Sequence, residues 1–356
     1  MNTGISFALL AAALFGASTP LAKLLMDGQT PPLLLAGMLY LGSGIGLSLW
    51  IALRVLRPSA GQKVASISAS ELPWLAGAVL TGGILGPILL MTGLNMVSAA
   101  SASLLLNMEG VLTTLLAWFV FRESFDRRIF VGMLFIVAAG ALLSWDSHAA
   151  SPGLSWGALS IVAACLCWAI DNNLTRKISA SDPVQIAAIK GLVAGAVNLG
   201  VALAWLGMSL PDMQYVAAAG VIGFGSYGLS LVLFVLALRH LGTARTGAYF
   251  SAAPFVGAAI AMILLDERPN AFFWIAAGLM LTGIWLHLTE RHAHAHTHER
   301  MSHTHAHRHD AHHQHQHDFA WNGEEPHTHV HVHEPLTHTH AHFPDIHHRH
   351  SHAREK

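Results

Sequence analysis

The residues best suited to bind a solute are a carboxylate and two amides, Asp171, Asn172 and Asn173, that lie side by side in an apolar segment. They belong to the run Trp168–Arg176. An earlier run, Phe15–Lys23, has a similar order: an aromatic residue, a small residue, a polar break and then a cation. Apolar segments interrupted at corresponding places in two halves of a chain mark the binding cavities of membrane transporters. The two runs therefore predict a polar cavity between two related halves.

Other charged residues lie deep in apolar segments. A charged side chain near the centre of a bilayer costs about 2.5–3.5 kcal/mol on insertion scales, so each one is a functional candidate. Glu109, which has Asn107 beside it, either exchanges protons during transport or is a structural acid bonded to Lys190 or to a facing amide. Asp171 either contacts the solute or pairs with a cation. Lys190 either extends to the membrane surface, pairs with a carboxylate or contacts an anionic solute.

The aromatic residues Trp168 and Phe15 either line the cavity or pack the helices. The complete set of candidate solute contacts is Asp171, Asn172, Asn173, Glu109, Asn107, Lys190, Trp168, Ser18 and Thr19. The charged residues near the ends of apolar segments are interpreted as topology anchors: Lys23, Arg176, Glu123 and Glu267.

The composition is typical of an integral membrane protein. Of 356 residues, 53% are hydrophobic and only 11% are charged, whereas soluble domains carry about 25% charged residues. The apolar N-terminus has no positively charged start, and it continues far enough to be a first membrane span rather than a signal peptide. We find no nucleic-acid-binding motif, nucleophile elbow, phosphate loop or His-Glu-x-x-His sequence, so we expect neither a nucleic-acid partner nor an enzyme.

Ten segments reach the roughly 20 apolar residues that a membrane-spanning helix needs. The predicted fold is therefore an all-α integral membrane protein with ten transmembrane helices. The predicted limits of these spans are 4–25, 31–53, 72–93, 98–121, 129–145, 154–175, 184–206, 214–238, 244–265 and 271–289.

The placement of lysine and arginine predicts the orientation. If the N-terminus is cytoplasmic, the inner loops hold most of these residues, and the outer loops hold only Lys23 and Arg268. Cytoplasmic loops are enriched in positive charge, so both termini are expected in the cytoplasm, at the inner membrane of a bacterium. The inner residues are Arg54, Arg57, Lys63, Arg122, Arg127, Arg128, Arg176, Lys177 and Arg239.

The chain divides into two halves of five spans, 1–146 and 153–290. Because five is odd, the second half must cross the membrane in the opposite sense, which gives an inverted repeat. Glu123 and Glu267 close the fourth and ninth spans at matching positions.

An aromatic residue, a small residue and then Lys or Arg end each first span, and an acid closes each fourth span. With these features, residues 1–290 resemble the EamA branch of the drug/metabolite transporter superfamily. The resemblance implies a helical bundle with a central cavity that moves small organic metabolites, often outward. Two positions depart from the pattern: Gly110 stands where the second half has Pro254, and Leu39 stands where it has Lys190.

The segment 291–356 is a histidine-rich tail that is too polar to form a core, so we expect it to be disordered. It holds 23 of the 26 histidines. Neutral imidazole binds Zn, Ni, Co and Cu, so the tail is expected to bind such ions without selecting one. The tail either serves this purpose in the cell or binds metal without a cellular role. The first candidate ligands are His292, His294, His296, His298, His303, His305, His307, His309, His312, His313, His315 and His317.

Three functions fit these features. The first is a secondary transporter that exports a small metabolite by alternating access between the halves, with proton coupling through Glu109 as a further hypothesis. The second is an exporter of a transition metal or a metal-chelating metabolite, for which the tail collects or senses the ion. The third is a membrane-tethered metal buffer that transports nothing. No resident cofactor is expected, and the partners are a solute, the lipid bilayer and, for the second and third functions, a divalent metal.

Overall fold

The computed structural model describes ten apolar helical spans and parts of the tail. Among the residues that the structure describes, eight helices are long and apolar enough to cross a membrane, and two further apolar helices, Ala253–Leu264 and Ala271–His287, are shorter. This confirms the all-α membrane fold. The described residues are 3–27, 30–56, 67, 69–121, 127–146, 153–175, 178, 182–241, 243–289, 293–298, 301–307, 327–333 and 336–341.

Five spans are continuous α-helices. Spans 1, 2, 5, 6 and 10 are Thr3–Asp27, Pro32–Leu56, Arg127–Ser144, Trp156–Thr175 and Ala271–Leu288. The polar residues Ser18, Thr19 and Pro20 do not interrupt the helix. Span 1 runs through Pro20 as one helix, in agreement with the predicted span 4–25. Proline removes one main-chain hydrogen bond, and in a membrane helix the freed carbonyl is tolerated where a neighbouring helix packs against it. Here the carbonyl of Gly16 faces Gly257 of span 9.

Spans 3, 7 and 8 each contain a π-helical segment. Span 3 is Leu72–Ala78, Val79–Leu85 and Gly86–Met96, of which the middle piece is π-helical. Span 7 joins Pro183–Gly200 to the π segment Val201–Trp205. Span 8 places the π segment Phe224–Leu229 between Met213–Gly223 and Ser230–Leu241. Single-turn π segments inside α-helices are frequent at functional sites.

Spans 4 and 9 are the discontinuous helices. Span 4 is Ala99–Leu105 followed by Met108–Phe121, and span 9 is Thr243–Phe250 followed by Ala253–Leu264. The breaks fall at corresponding positions of the two halves. Tight turns close both breaks: Asn107 N donates to Leu104 O at 3.0 Å, and Ala252 N donates to Tyr249 O at 3.2 Å. Discontinuous helices in matching positions are the usual framework of a transporter's binding site.

The helices pack in a pattern that repeats between the halves. Span 2 packs on span 7 and span 5 packs on span 10, whereas span 1 packs on spans 8 and 9 just as span 6 packs on spans 3 and 4. Glycines make the closest crossings possible. A Cβ added to Gly191 would lie 2.6 Å from the amide nitrogen of Gly44, and one added to Gly283 would lie 2.6 Å from the carbonyl oxygen of Gly132. Small residues at such crossings let the backbones approach and gain dispersion contacts within lipid.

Large apolar side chains cover the outside of the bundle. Ile263, Val221 and Phe119 are 85%, 72% and 70% exposed. In water this surface would be costly, and a bilayer solvates it. The interior is instead rich in alanine and glycine.

In the tail, four short segments have extended backbone. Ala293–His298 pairs with Leu336–Ala341, and Met301–His307 pairs with His327–His333, both antiparallel. The tail was expected to be disordered, whereas these four segments are paired strands. The alternation of histidine with threonine, alanine or valine has the period of two that a strand needs. Isolated two-stranded pairs are only marginally stable in water.

Candidate functional site

A buried ion pair joins spans 6 and 7. Lys190 Nζ lies 2.6 Å from both Oδ1 and Oδ2 of Asp171, and the two side chains are 17% and 9% exposed. The hydroxyl of Thr175, one turn further along span 6, donates to Asp171 Oδ1 at 2.9 Å. A charge in a water-poor site is stable only when it is paired and hydrogen-bonded. Of the alternatives that the sequence left open, the structure therefore places Asp171 and Lys190 against each other, and the ammonium does not extend to the membrane surface.

Span 3 makes room for this pair. A Cβ added to Gly82 would lie only 1.9 Å from Asp171 Oδ2, so no other residue type fits at this position without moving the carboxylate. Gly82 lies in the π-helical segment of the span. Position 82 therefore requires glycine, because the carboxylate of Asp171 in span 6 occupies the space that a side chain would fill.

The π segment also exposes a carbonyl that holds two aromatic residues. Pro87 has no N–H to donate back along the helix, and Gly86 N donates to Thr81 O instead. The freed carbonyl of Gly82 accepts hydrogen bonds from Tyr40 Oη at 2.9 Å and from Trp168 Nε1 at 3.0 Å. Spans 2, 3 and 6 thus meet at one backbone atom beside the ion pair. Trp168 is buried there and packs the helices.

Glu109 is the third ionisable group of the site. It follows the break in span 4, and its Oε1 accepts a hydrogen bond from Asn172 Nδ2 of span 6 at 2.8 Å. Glu109 is half-buried, and its hydrogen bond with Asn172 joins span 4 of the first half to span 6 of the second. Asn172 is exposed at this site.

The remaining sequence candidates lie elsewhere or bond within their own helix. Asn107 Nδ2 donates to Leu104 O at 3.0 Å and contacts Met280 Sδ at 3.5 Å. Asn173 Nδ2 donates to Ala169 O, one turn back in its own helix, at 2.8 Å. Ser18 and Thr19 are buried, and the Thr19 hydroxyl has no hydrogen-bond partner among the described residues. Their roles in solute binding stay predictions.

Several aromatic residues of the site were not singled out from the sequence. Tyr40 and Tyr227 have ring centroids 5.4 Å apart, Tyr227 and Phe15 are 6.1 Å apart, and Phe15 and Phe250 are 5.5 Å apart. The rings come from spans 1, 2, 8 and 9, so they form a continuous aromatic strip across both halves. Only Phe15 carried a sequence signal, through its match to Trp168. The two tyrosines could have been noticed because the chain has only four.

Two of the four predicted anchors, Lys23 in span 1 and Glu267 after span 9, make specific contacts. Lys23 Nζ donates to Leu94 O at 2.7 Å, and Glu267 accepts from two main-chain amides at the start of span 4. They are therefore more than topology signals. Glu123 and Arg176 lie outside the described residues.

No group of three or more His, Cys, Asp or Glu side chains converges to hold a metal in the part of the chain whose side chains are described. The histidine side chains of the tail are outside that part, so metal binding by the tail stays a prediction.

Comparison with known proteins agrees with this architecture. The chain is 29% identical to a protein of Methanothermobacter thermautotrophicus named only as a transporter, over 76% of this chain and 82% of that protein. It is 24% identical to a probable amino-acid metabolite efflux pump of Escherichia coli K12, over 72% of this chain and 86% of that protein. A crystal structure that shares 19% identity matches with a TM-score of 0.58, covering 79% of this chain and 95% of that one, and shows the same fold.

The EamA-like transporter family matches the chain twice, over residues 2–145 and 155–289. The two matches cover all ten spans. The chain is thus a membrane transporter that belongs to the EamA-like transporter family.

Proposed function

We propose that this protein is a secondary active transporter that exports a small metabolite by alternating access between its two five-span halves. The observation that carries the proposal is the cluster of Glu109, Asn172, Asp171 and Lys190. It lies beside the break of a discontinuous helix and draws its members from both halves. Polar groups at this depth are expensive in lipid, and function is the usual reason for their presence.

The same cluster supports proton coupling. Asp171 and Lys190 neutralise each other, whereas Glu109 is bonded to a neutral amide. When all three groups are ionised, they carry one net negative charge, and a proton or a solute can compensate it. Glu109 is therefore the proposed group that gains and loses the coupling proton.

The distribution of lysine and arginine supports the proposed orientation, in which both termini lie in the cytoplasm.

Uptake into proteoliposomes tests this function. We expect a panel of amino acids, aromatic metabolites and divalent metals to contain a solute that accumulates under an imposed proton gradient and not in protein-free liposomes. Amino acids come first in the panel because a relative is named as an amino-acid metabolite efflux pump. Binding of a solute with no flux under either gradient direction would contradict a transport function.

The second candidate function is export of a transition metal or of a metal-chelating metabolite, and the density of histidine after residue 291 favours it. Deletion of 292–356 should then lower the tolerance of cells to Zn or Ni. The control is a tail of equal length in which every histidine is replaced by asparagine. It should lower the tolerance to Zn or Ni as much as the deletion does. If both strains keep the parent's tolerance, the tail says nothing about the solute. A buffer without transport would bind metal and move nothing.

A further inference from the structure

The turn between spans 3 and 4 is short, and at both helix ends it leaves main-chain groups without a hydrogen-bond partner in their own helix. Span 3 ends at Met96 and the next helix begins at Ala99, with Ser98 as its N-cap. The last carbonyls of one helix and the first amides of the next have no partner within their own helix. Only the amide of Ser101 is satisfied locally, by the Ser98 hydroxyl at 3.2 Å.

Lys23 of span 1 binds the carbonyl side of this turn. Its ammonium donates to Leu94 O at 2.7 Å and to Val97 O at 3.3 Å. The C-terminal end of a helix carries partial negative charge, so a cation is favoured there. The contact therefore ties span 1 to the end of span 3 through charge-assisted hydrogen bonds.

Glu267, in the loop after span 9, binds the amide side of the same turn. Its Oε1 accepts from Ala99 N at 2.7 Å and its Oε2 accepts from Ala100 N at 2.8 Å. The N-terminal end of a helix carries partial positive charge, so the carboxylate complements it. This contact crosses from the second half of the chain to the first.

The backbone immediately before Glu267 is held in an uncommon conformation. Asp266 has φ of +47°, a region that residues other than glycine adopt rarely. Such conformations cost energy and persist where the surrounding structure needs them. Here the turn at Asp266 ends span 9 and directs the next residue toward the start of span 4.

We propose that Lys23 and Glu267 form a clamp that holds the outer end of the transporter closed. This rests on the proposed alternating access and orientation. Spans 1 and 9 pack on each other, so one pair of packed spans positions both clamp residues, and the turn they hold belongs to spans 3 and 4. Opening the outer end must separate this turn from spans 1 and 9, and both sets of hydrogen bonds must then break. The clamp sets how often the outer end opens when no solute is bound.

Thiol accessibility tests the clamp. Thr19, buried in span 1 one turn deeper than Lys23, is replaced by cysteine in a background of Cys165→Ala and Cys167→Ala. Right-side-out vesicles are treated with a membrane-impermeant maleimide without solute. Glu267→Gln and Lys23→Met should each speed labelling about tenfold or more, which corresponds to a shift of about 1.4 kcal/mol. Glu267→Asp, which keeps the charge on a shorter side chain, should give an intermediate rate.

Asp266→Asn is the matched control. It removes a neighbouring, exposed carboxylate that touches only Arg268, at 3.6 Å, among the described residues, and asparagine tolerates a positive φ. Its labelling rate should equal the parent's. Equal rates in Glu267→Gln and the parent, at matched melting temperatures, would overturn the clamp, as would equal acceleration in Asp266→Asn. Because no solute is present, this result is independent of whether transport is detected. If Glu267→Gln and Lys23→Met are labelled at the parent's rate and the parent transports a solute, the clamp is contradicted and the transport function is not.

Discussion

Replacement of Glu109 by glutamine should abolish accumulation driven by a proton gradient while gradient-independent exchange of the same solute continues. Glutamine has nearly the same shape, and its amide oxygen can still accept the hydrogen bond from Asn172, which is 2.8 Å long in the parent. The substitution therefore removes proton exchange and leaves the packing of spans 4 and 6 in place. The difference between the two transport modes isolates the role of the carboxylate.

The measurement has two parts in proteoliposomes. Accumulation under an imposed pH gradient should fall to the level of protein-free liposomes, and solute counterflow without a gradient should persist and lose its dependence on pH. Asp212→Asn is the control, because Asp212 is exposed ahead of span 8 and makes no side-chain cap hydrogen bond. Unchanged gradient-driven accumulation in Glu109→Gln would show that the coupling proton binds elsewhere, and Glu109 would then be a structural acid.

The main features of the fold could be predicted from the sequence because lipid imposes a simple rule. Every main-chain polar group must be satisfied within the membrane, so a long apolar segment has few alternatives to a helix. Charged side chains at this depth are also expensive unless they are paired, as Asp171 and Lys190 are. Which partner each charge takes depends on how distant spans pack, and this is why several alternatives stayed open for Glu109.

The positions of the helix breaks were less predictable. Pro20 lies within span 1, and the helix continues through it. The break at Ala252 lies just before Pro254, which is in the first turn of the second piece of span 9. The break beside Asn107 has Gly110 at the corresponding position and no proline, so its position depends on how the spans pack. Pro87 did carry information: by removing one N–H it frees the carbonyl of Gly82 for two side chains from other spans. In this chain one proline, Pro87, frees a carbonyl for side chains of other spans, and another, Pro254, lies at a break.

Replacement of either member of the ion pair of Asp171 and Lys190 should strongly lower the stability of the protein. Removal of one partner from a buried pair leaves an uncompensated charge and costs about 3–5 kcal/mol. Asp171→Asn would leave the ammonium facing the glycine-lined wall at Gly82, and Lys190→Met would leave the carboxylate with Thr175 as its hydrogen-bond donor. Both single variants should therefore melt at clearly lower temperature in detergent than the parent. A melting temperature unchanged in either one would mean that water reaches the pair freely.

The double variant Asp171→Asn with Lys190→Met separates stability from transport. It contains no buried charge at this position, so its melting temperature should recover most of what each single variant loses. The difference between the double variant and the sum of the two single variants measures the coupling between the two residues. Its transport then decides the role of the pair. If flux returns with stability, the pair only holds spans 6 and 7 together. If the protein is stable but inactive, the solute must meet one of the two charges during the cycle, and the ion pair then releases one of its members to bind it.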